Sequence, residues 1–302
     1  MINVATVHYL NPKWIDPQLR YLEANIDSPY RVFASLEGID DPVLRSRFFA
    51  VSDVEGKHAE KLNSLAELIT SQSEPDDVLL FVDGDAFPIR PLVPWIEKTL
   101  ASYPLAAVRR DENLGDLQPH PCFCVTTVGF WSAIGGDWGR GTWTNSSGAE
   151  VTDVGGILLE RLRAKGTDWY PLLRTNSKNP HPLWYAVYDR KIYHHGAGFR
   201  QKQSRIDYEI WPNRNLPPRT ASDAPGLGAG IRKLLRQPST ITRLRPKHVA
   251  LVREATSNTI AQRRRQGLWK RRLRYMEKTE RQSNKMFDRL SRDPYFYRQL
   301  EG

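Results

Sequence analysis

The chain has 302 residues, a formal net charge of +10, 40% hydrophobic residues and a mean hydropathy of −0.55. This length and balance suit one large α/β domain or two smaller ones with a sizeable core, and no run of eighteen apolar residues offers a transmembrane helix. Cys122 and Cys124 are the only cysteines. A bridge between them would be strained and two sulfurs do not complete a zinc site, so both are expected to be reduced and semi-buried. The opening MINVATVHYL reads as a strand and lacks the basic start, long apolar stretch and cleavage site of a signal peptide, so the expected compartment is the cytoplasm.

Strand-like and helix-like patterns alternate over roughly the first 200 residues. NVATVHY is apolar and β-rich. DPQLRYLEANI places Leu19, Leu22 and Ile26 on a helical face, with Asp16 as N-cap and Pro17 at the first helical position. YRVFASL and RFFAVSD read as strands. GKHAEKLNSLAELITSQS carries Leu62, Leu65, Leu68 and Ile69 at helical spacing. DVLLFVDGD is the most buried-looking strand, PLVPWIEKTLASY a helix and LAAVRR a further strand. This alternation argues for a mostly parallel sheet flanked by helices in an α/β architecture. After residue 110 the pattern changes to turns mixed with aromatic residues. DVGGILLERLRAKG is a helix entered through a glycine pair, and KIYHHGAG is a short strand meeting a Gly-rich turn.

Residues 212–245, rich in Pro, Gly, Ser and Arg, read as a linker or wrapping arm, and 246–302 as a basic helical tail. Residues 201–302 hold 24 Lys/Arg against 9 Asp/Glu, whereas residues 1–200 hold 20 against 25. A basic appendage on a mildly acidic body is the expectation.

The apolar run Leu79–Val82 leads straight into Asp83-Gly84-Asp85. Ligands in parallel sheets bind beyond the carboxyl ends of the strands, and a glycine between two carboxylates lets a turn aim both at one pocket. Hard carboxylate oxygens suit Mg²⁺ or Mn²⁺, which fill their remaining positions with water and substrate phosphate. The chemistry that fits is a metal-bridged diphosphate; the plain alternative is a surface D-G turn. A second constellation is IYHHGAGFR, residues 192–200. Imidazole suits Mn²⁺, Gly196 and Gly198 would let backbone amides approach a phosphate, and Arg200 could clamp it with a fork of donors.

On these residues the chain resembles the GT-A class of nucleotide-sugar glycosyltransferases: a D-x-D tripeptide after a hydrophobic strand, and a later histidine in an H-x-x-G pattern, His195-Gly196-Ala197-Gly198. The glycogenin-like branch continues to a diphosphate-binding lysine, where this chain has Arg200 nearby. The resemblance covers roughly residues 1–200. It implies a GT-A-like, Rossmann-type domain over 1–211, with a nucleotide-binding half at about 1–110 and an acceptor half at about 111–211. It also implies that Asp85 binds the metal directly, that Asp83 binds metal or ribose, and that His195 is the third ligand, with the adjacent His194 as competitor. Lys61 and Asn63, on the helix before the D-x-D strand, would touch base or ribose, with a solvated helix face as the alternative. His8 and Tyr9, at the end of the first strand, would border the base.

Asp153, just before Gly155-Gly156, is either a helix N-cap or the general base that an inverting transfer needs; in a retaining enzyme it would orient sugar hydroxyls. HPCF at 120–123, HPLW at 181–184 and Trp131, Trp138, Trp143 and Trp169 make the centre aromatic-rich, as core or as a carbohydrate cleft. His120 is either an acceptor-site residue or a turn histidine before proline.

Residues 262–278 carry Leu268, Trp269, Leu273 and Met276 among many arginines. They suit an anionic membrane surface or nucleic acid, or docking onto an acidic domain or a partner subunit. The expectation is a metal-dependent glycosyltransferase using Mn²⁺ or Mg²⁺, a nucleoside-diphosphate sugar, and a carbohydrate or lipid-linked acceptor of a surface polysaccharide or glycolipid. A nucleotidyltransferase using the same carboxylates is the related alternative, although HYLNPKWIDP is not the Gly-rich basic loop it favours. A non-enzymatic protein binding nucleic acid or membrane through the tail would leave both motifs unexplained.

Overall fold

The computed structural model describes residues 1–111, 116–144, 148, 150–176, 185–196, 274, 277, 281–293, 295 and 296. The expected linker and residues 246–273 lie outside them. The chain divides into two compact units, Met1–Gln203 with Arg281–Gly302, and Ser204–Glu280. In the second unit the described residues Arg274 and Glu277 are helical and exposed. Among the described residues no helix is long and apolar enough to cross a membrane.

The first unit runs β1 (Ile2–Tyr9), a 3-10 turn (Pro12–Trp14), α1 (Ile15–Asn25), β2 (Tyr30–Glu37), α2 (Pro42–Arg45), β3 (Ala50–Ser52), α3 (His58–Thr70), β4 (Val78–Asp83), β5 (Ala86–Pro88), α4 (Val93–Leu100) and β6 (Leu105–Val108). It continues through β7 (His120–Thr127), α5 (Val128–Ile134), β8 (Arg140–Thr144), β9 (Glu150–Val154), α6 (Gly156–Ala164), β10 (Tyr170–Leu172), β11 (Ala186–Tyr188) and β12 (Ile192–His194). A seven-stranded sheet has the order β10-β6-β7-β4-β1-β2-β3, beside a three-stranded sheet β11-β12-β5 and the pair β8-β9. In the large sheet β1 pairs in parallel with β2 and β4, β2 with β3, and β10 with β6; only β7 runs antiparallel, between β4 and β6.

The sheet is covered on both faces, which is why β4 is continuously apolar rather than alternating. Leu80 and Val82 enter one core cluster with Val4, Ile15, Leu22 and Ile96, while Leu79 and Phe81 enter the other with Ala5, Leu62, Leu65 and Ile69. A third, aromatic cluster joins Trp14, Tyr21, Phe87, Tyr185 and Tyr193 to Leu290 and Phe296. Residues 281–292 form a helix, and its burial against these rings groups it with the body rather than with a separate tail beginning at 246.

The structure differs from the sequence expectation in two other places. The turn-like stretch after residue 110 contains the long central strand β7, fully buried along Pro121–Thr126 and therefore without a period-two signal. Asp16 does not cap α1. Helical backbone already begins at the preceding 3-10 turn, where Asn11 accepts the Lys13 N–H at 3.0 Å, and Asp16 pairs with Arg47 instead. Cys122 and Cys124 are free and buried. Trp131 and Trp138 are buried in the core with Trp169 half-buried against them, and Trp143 is buried; none of the four lines the cavity at the strand ends.

Candidate active site

The β4–β5 connection is held from beneath by one buried side chain. Gln18 of α1 donates its amide hydrogens to the Asp83 carbonyl at 2.8 Å and the Ala86 carbonyl at 3.0 Å. Its own oxygen accepts from Thr6 Oγ1 at 3.0 Å and His8 Nε2 at 2.9 Å. The four hydrogen bonds of Gln18 thus bracket the D-G-D turn from the core and restrain it. Burial, against a hydrogen bond to Gln18 and the Asp85 charge, pushes the His8 pKa down to about 4. His8 is fully buried and serves this network; it does not border the cavity described next.

Above the turn, beyond the carboxyl ends of β1, β2 and β4, lies a cavity of about 520 Å³. Asp83, Gly84, Asp85 and His194 line its floor. Ligand atoms of Asp83, Asp85 and His194 all lie within 4.8 Å of one another. His194 Nε2 is 3.5 Å from Asp85 Oδ1 and 3.8 Å from Asp83 Oδ2. Burial opposes a proton on His194, but the Cys122 sulfur and the Asp85 carboxylate outweigh it and hold its pKa well above the ordinary value. A divalent cation can take the place of a proton among such groups. Two carboxylates and an imidazole form a donor set that fits Mn²⁺ or Mg²⁺.

His195, expected as the third ligand, is turned away. Successive side chains of a strand point to opposite faces, and the side opposite His194 faces the aromatic cluster. There His195 Nδ1 meets the Tyr193 hydroxyl at 2.7 Å, Nε2 meets Ser283 Oγ at 2.6 Å, and the ring lies 4.4 Å from that of Trp14. Burial pushes its pKa down to about 3, against the Asp85 charge. Of the two histidines it is His194 that faces the carboxylates, because pairing of β12 with β5 sets His194 opposite Ala86, beside the D-G-D turn. Gly196 follows with φ 61°, a backbone that glycine adopts without strain. Gly198, Arg200 and residues 181–184 lie outside the described residues.

His58, which the sequence reading did not single out, places Nε2 2.9 Å from Asp83 Oδ1. Burial would lower its pKa, but the Asp83 charge and hydrogen bond outweigh this and raise it. Its only sequence signal is position, at the start of a helix at the same end of the sheet. One turn on, Lys61 is 3% exposed, pairs with Glu37, and sits 4.9 Å over the Tyr9 ring; all three line the cavity. Asn63 does not. Two residues turn a helix by about 200°, and Asn63 instead bonds Asp137 Oδ1 at 2.7 Å and accepts the Trp138 N–H at 2.9 Å, in a second cavity.

On the opposite wall Asp153 belongs to β9 and does not cap α6, whose N-cap is Gly155 at φ 82°. A Cβ at Gly155 would meet the Pro119 carbonyl oxygen at 2.1 Å, so this entry demands glycine. Asp153 Oδ2 lies 3.6 Å from Arg110 Nη2, which also holds Asp116 at 3.2 Å. His120 Nδ1 accepts the Cys122 N–H at 3.1 Å, and burial followed by the Arg110 charge keeps its pKa well below the ordinary value. The neutral ring therefore carries its hydrogen on Nε2. His120 lines the cavity beside Pro121 and Asp153.

No protein-family model matches the chain, and no curated protein sequence does either. Solved structures similar to it include TarS of S. aureus, residues 1–349 (15% identity, 45% of this chain and 50% of that one, TM-score 0.34). Another is the mannosyltransferase PcManGT from Pyrobaculum calidifontis with GDP-Man and Mn²⁺ (13% identity, 59% and 57%, TM-score 0.40). A third is glucosyl-3-phosphoglycerate synthase from Mycobacterium tuberculosis with Mg²⁺ and UDP (16% identity, 57% and 69%, TM-score 0.39). The chain spans under two thirds of the first two chains, 50% and 57%. These TM-scores lie below 0.5.

Proposed function

We propose that this chain is a metal-dependent glycosyltransferase that moves a sugar from a nucleoside-diphosphate donor to an acceptor hydroxyl. The observation that carries this is the convergence of Asp83, Asp85 and His194 on one point at the strand ends. In this reading Asp85 and His194 hold a Mn²⁺ or Mg²⁺ ion, with Asp83 on the ion or on the donor ribose. The bound ion would supply Lewis-acid stabilisation of the diphosphate leaving group.

The remaining residues divide the cavity along the sheet. Toward β2, the exposed Tyr9 ring, backed by the Lys61–Glu37 pair, offers a stacking surface for the base. His58 orients Asp83. Toward β7 and β9, His120 Nε2–H donates to donor or acceptor oxygens. Asp153, kept beside the Arg110 cation, takes the proton of the acceptor hydroxyl, as an inverting transfer requires. Gly196, with Gly198 and Arg200, contacts the diphosphate. A lipid-linked acceptor would bring the basic residues 262–278 to an anionic membrane surface.

The test is release of nucleoside diphosphate from a panel of nucleotide sugars, with and without Mn²⁺. Metal-dependent release by the wild type that is lost in Asp85→Ala is the expected result. A wild type that neither binds nor turns over any donor in a metal-dependent way overturns the proposal.

A further inference from the structure

The most unusual contact outside the cavity ties its floor to a helix far along the chain. His194 ends a strand of three residues, and the backbone turns at Gly196 immediately after it. His194 is paired on both sides, with Ala186 and with Ala86, and the next residue adds a further tie. The His195 N–H donates to the Asp85 carbonyl at 2.9 Å, which couples the histidine segment directly to the D-G-D turn. The His195 ring is then anchored by Tyr193, Trp14 and Ser283. Tyr193 belongs to the same strand. Ser283 comes from 88 residues away, on the helix over residues 281–292.

That helix is itself firmly seated. Leu290 is fully buried and Phe296 is 4% exposed. Arg20 donates to the Leu290 carbonyl at 3.2 Å and the Ser291 carbonyl at 3.4 Å, near the helix C-terminus where carbonyls lack partners within the helix. Lys13 lies 5.0 Å over the Phe287 ring. A rigid support therefore presents the Ser283 hydroxyl to the back of the residue that follows His194.

We infer that Ser283 is a positioning residue for the metal site, acting through His195, and that the 281–292 helix is a working part of that site rather than an appendage. The inference rests on the metal reading above. Metal sites tolerate little displacement of their ligands, and loss of an outer partner commonly weakens binding by about 10–100-fold. Ser283 stands one residue further out than such a partner, so the lower end of that range applies.

Mn²⁺ binding to the full chain is measured by titration calorimetry without donor, so that the readout is independent of turnover. Ser283→Ala is expected to raise the Kd by about 10-fold, while Ser283→Thr, which keeps the hydroxyl, stays within about twofold of wild type. A Ser283→Ala protein that binds Mn²⁺ as wild type does overturns the inference. Should Ser283→Ala not fold, Ser283→Cys keeps the volume but bonds weakly; a wild-type Kd there overturns the inference and a several-fold rise supports it. Ile69→Val, a core change on α3, controls for general destabilisation, and equal weakening there also overturns the inference. A wild type that binds no Mn²⁺ removes the proposed function together with this inference, whereas wild-type binding with an unchanged Ser283→Ala removes this inference alone.

Discussion

Two cavities of similar volume share the helix α3, one of about 520 Å³ at the strand ends and one of about 470 Å³ among α3, α5 and α6. Lys61 lines the first and Asn63 the second. In the second cavity Asp137 is met from three sides. Asn63 bonds Asp137, Asp137 also accepts the Gly139 N–H at 2.7 Å, and Arg161 lies 3.5 Å from the same carboxylate. In the first, Lys61 is matched by Glu37 and Arg110 by Asp153, which leaves Asp83 and Asp85 facing the imidazoles of His58 and His194. Size does not distinguish the two. Convergence does: ligand atoms of Asp83, Asp85 and His194 lie within 4.8 Å of one another at a turn held by Gln18, and a divalent cation can displace the imidazolium proton there.

The strongest way to break this contrast is to remove the charge. Asp85→Ala is expected to lower metal-dependent donor turnover on the order of 10³-fold, the loss of several kcal/mol of leaving-group stabilisation; retained turnover would leave the first cavity no more special than the second. Asp153→Asn is expected to lower kcat by about 10²–10⁴-fold while Mn²⁺ affinity stays unchanged; steady-state kinetics paired with calorimetry separates the two. His194→Ala is expected to raise the Mn²⁺ Kd by about 10–100-fold or more, beyond the effect of any His195 variant. The reverse ranking would return the ligand role to His195. At the small end, Asn63→Ala and Arg161→Ala in the second cavity should leave kcat/KM within about twofold, since neither faces the reacting groups. A large kinetic loss there would mean that the second cavity takes part.

The core beneath the first cavity makes a separate prediction. His8 titrates at about 4 in the fold against 6.5 when free. Between those values the unfolded chain binds a proton that the folded chain refuses, so stability falls as the pH drops from 6.5 to 4. The full contribution is on the order of 3 kcal/mol. His195 and His120, also held below the ordinary value, act in the same window, so His8→Gln should reduce but not abolish that slope in the pH–stability curve measured by urea unfolding. An unchanged slope would show that His8 is not the group responsible.

Much of this was visible in the residues themselves. The run Leu79–Val82 announces a strand buried on both faces, and Asp83-Gly84-Asp85 marks its end as a candidate site, because local order alone brings those two carboxylates together. Asp153 and Tyr9 were identified from their places at element ends, and both line the cavity. Gln18 was not legible: a polar residue on an otherwise apolar helix reveals nothing until its partner is known, and the Asp83 carbonyl lies 65 residues away. His58 was hidden for the same reason. Asn63 was misplaced because the helical period shows that it and Lys61 face different ways, but not which way the cavity lies.

Chain order alone determined that strands alternate with helices, that two carboxylates close a buried strand, and that a histidine pair with glycine follows later. Pleating also required that His194 and His195 face opposite sides. Which of them meets the carboxylates was decided only by the tertiary structure. The pairing of β12 with β5 and the seating of the 281–292 helix behind His195 are both long-range contacts. No local pattern encodes them, because their free energy is realised only when segments far apart in sequence pack together.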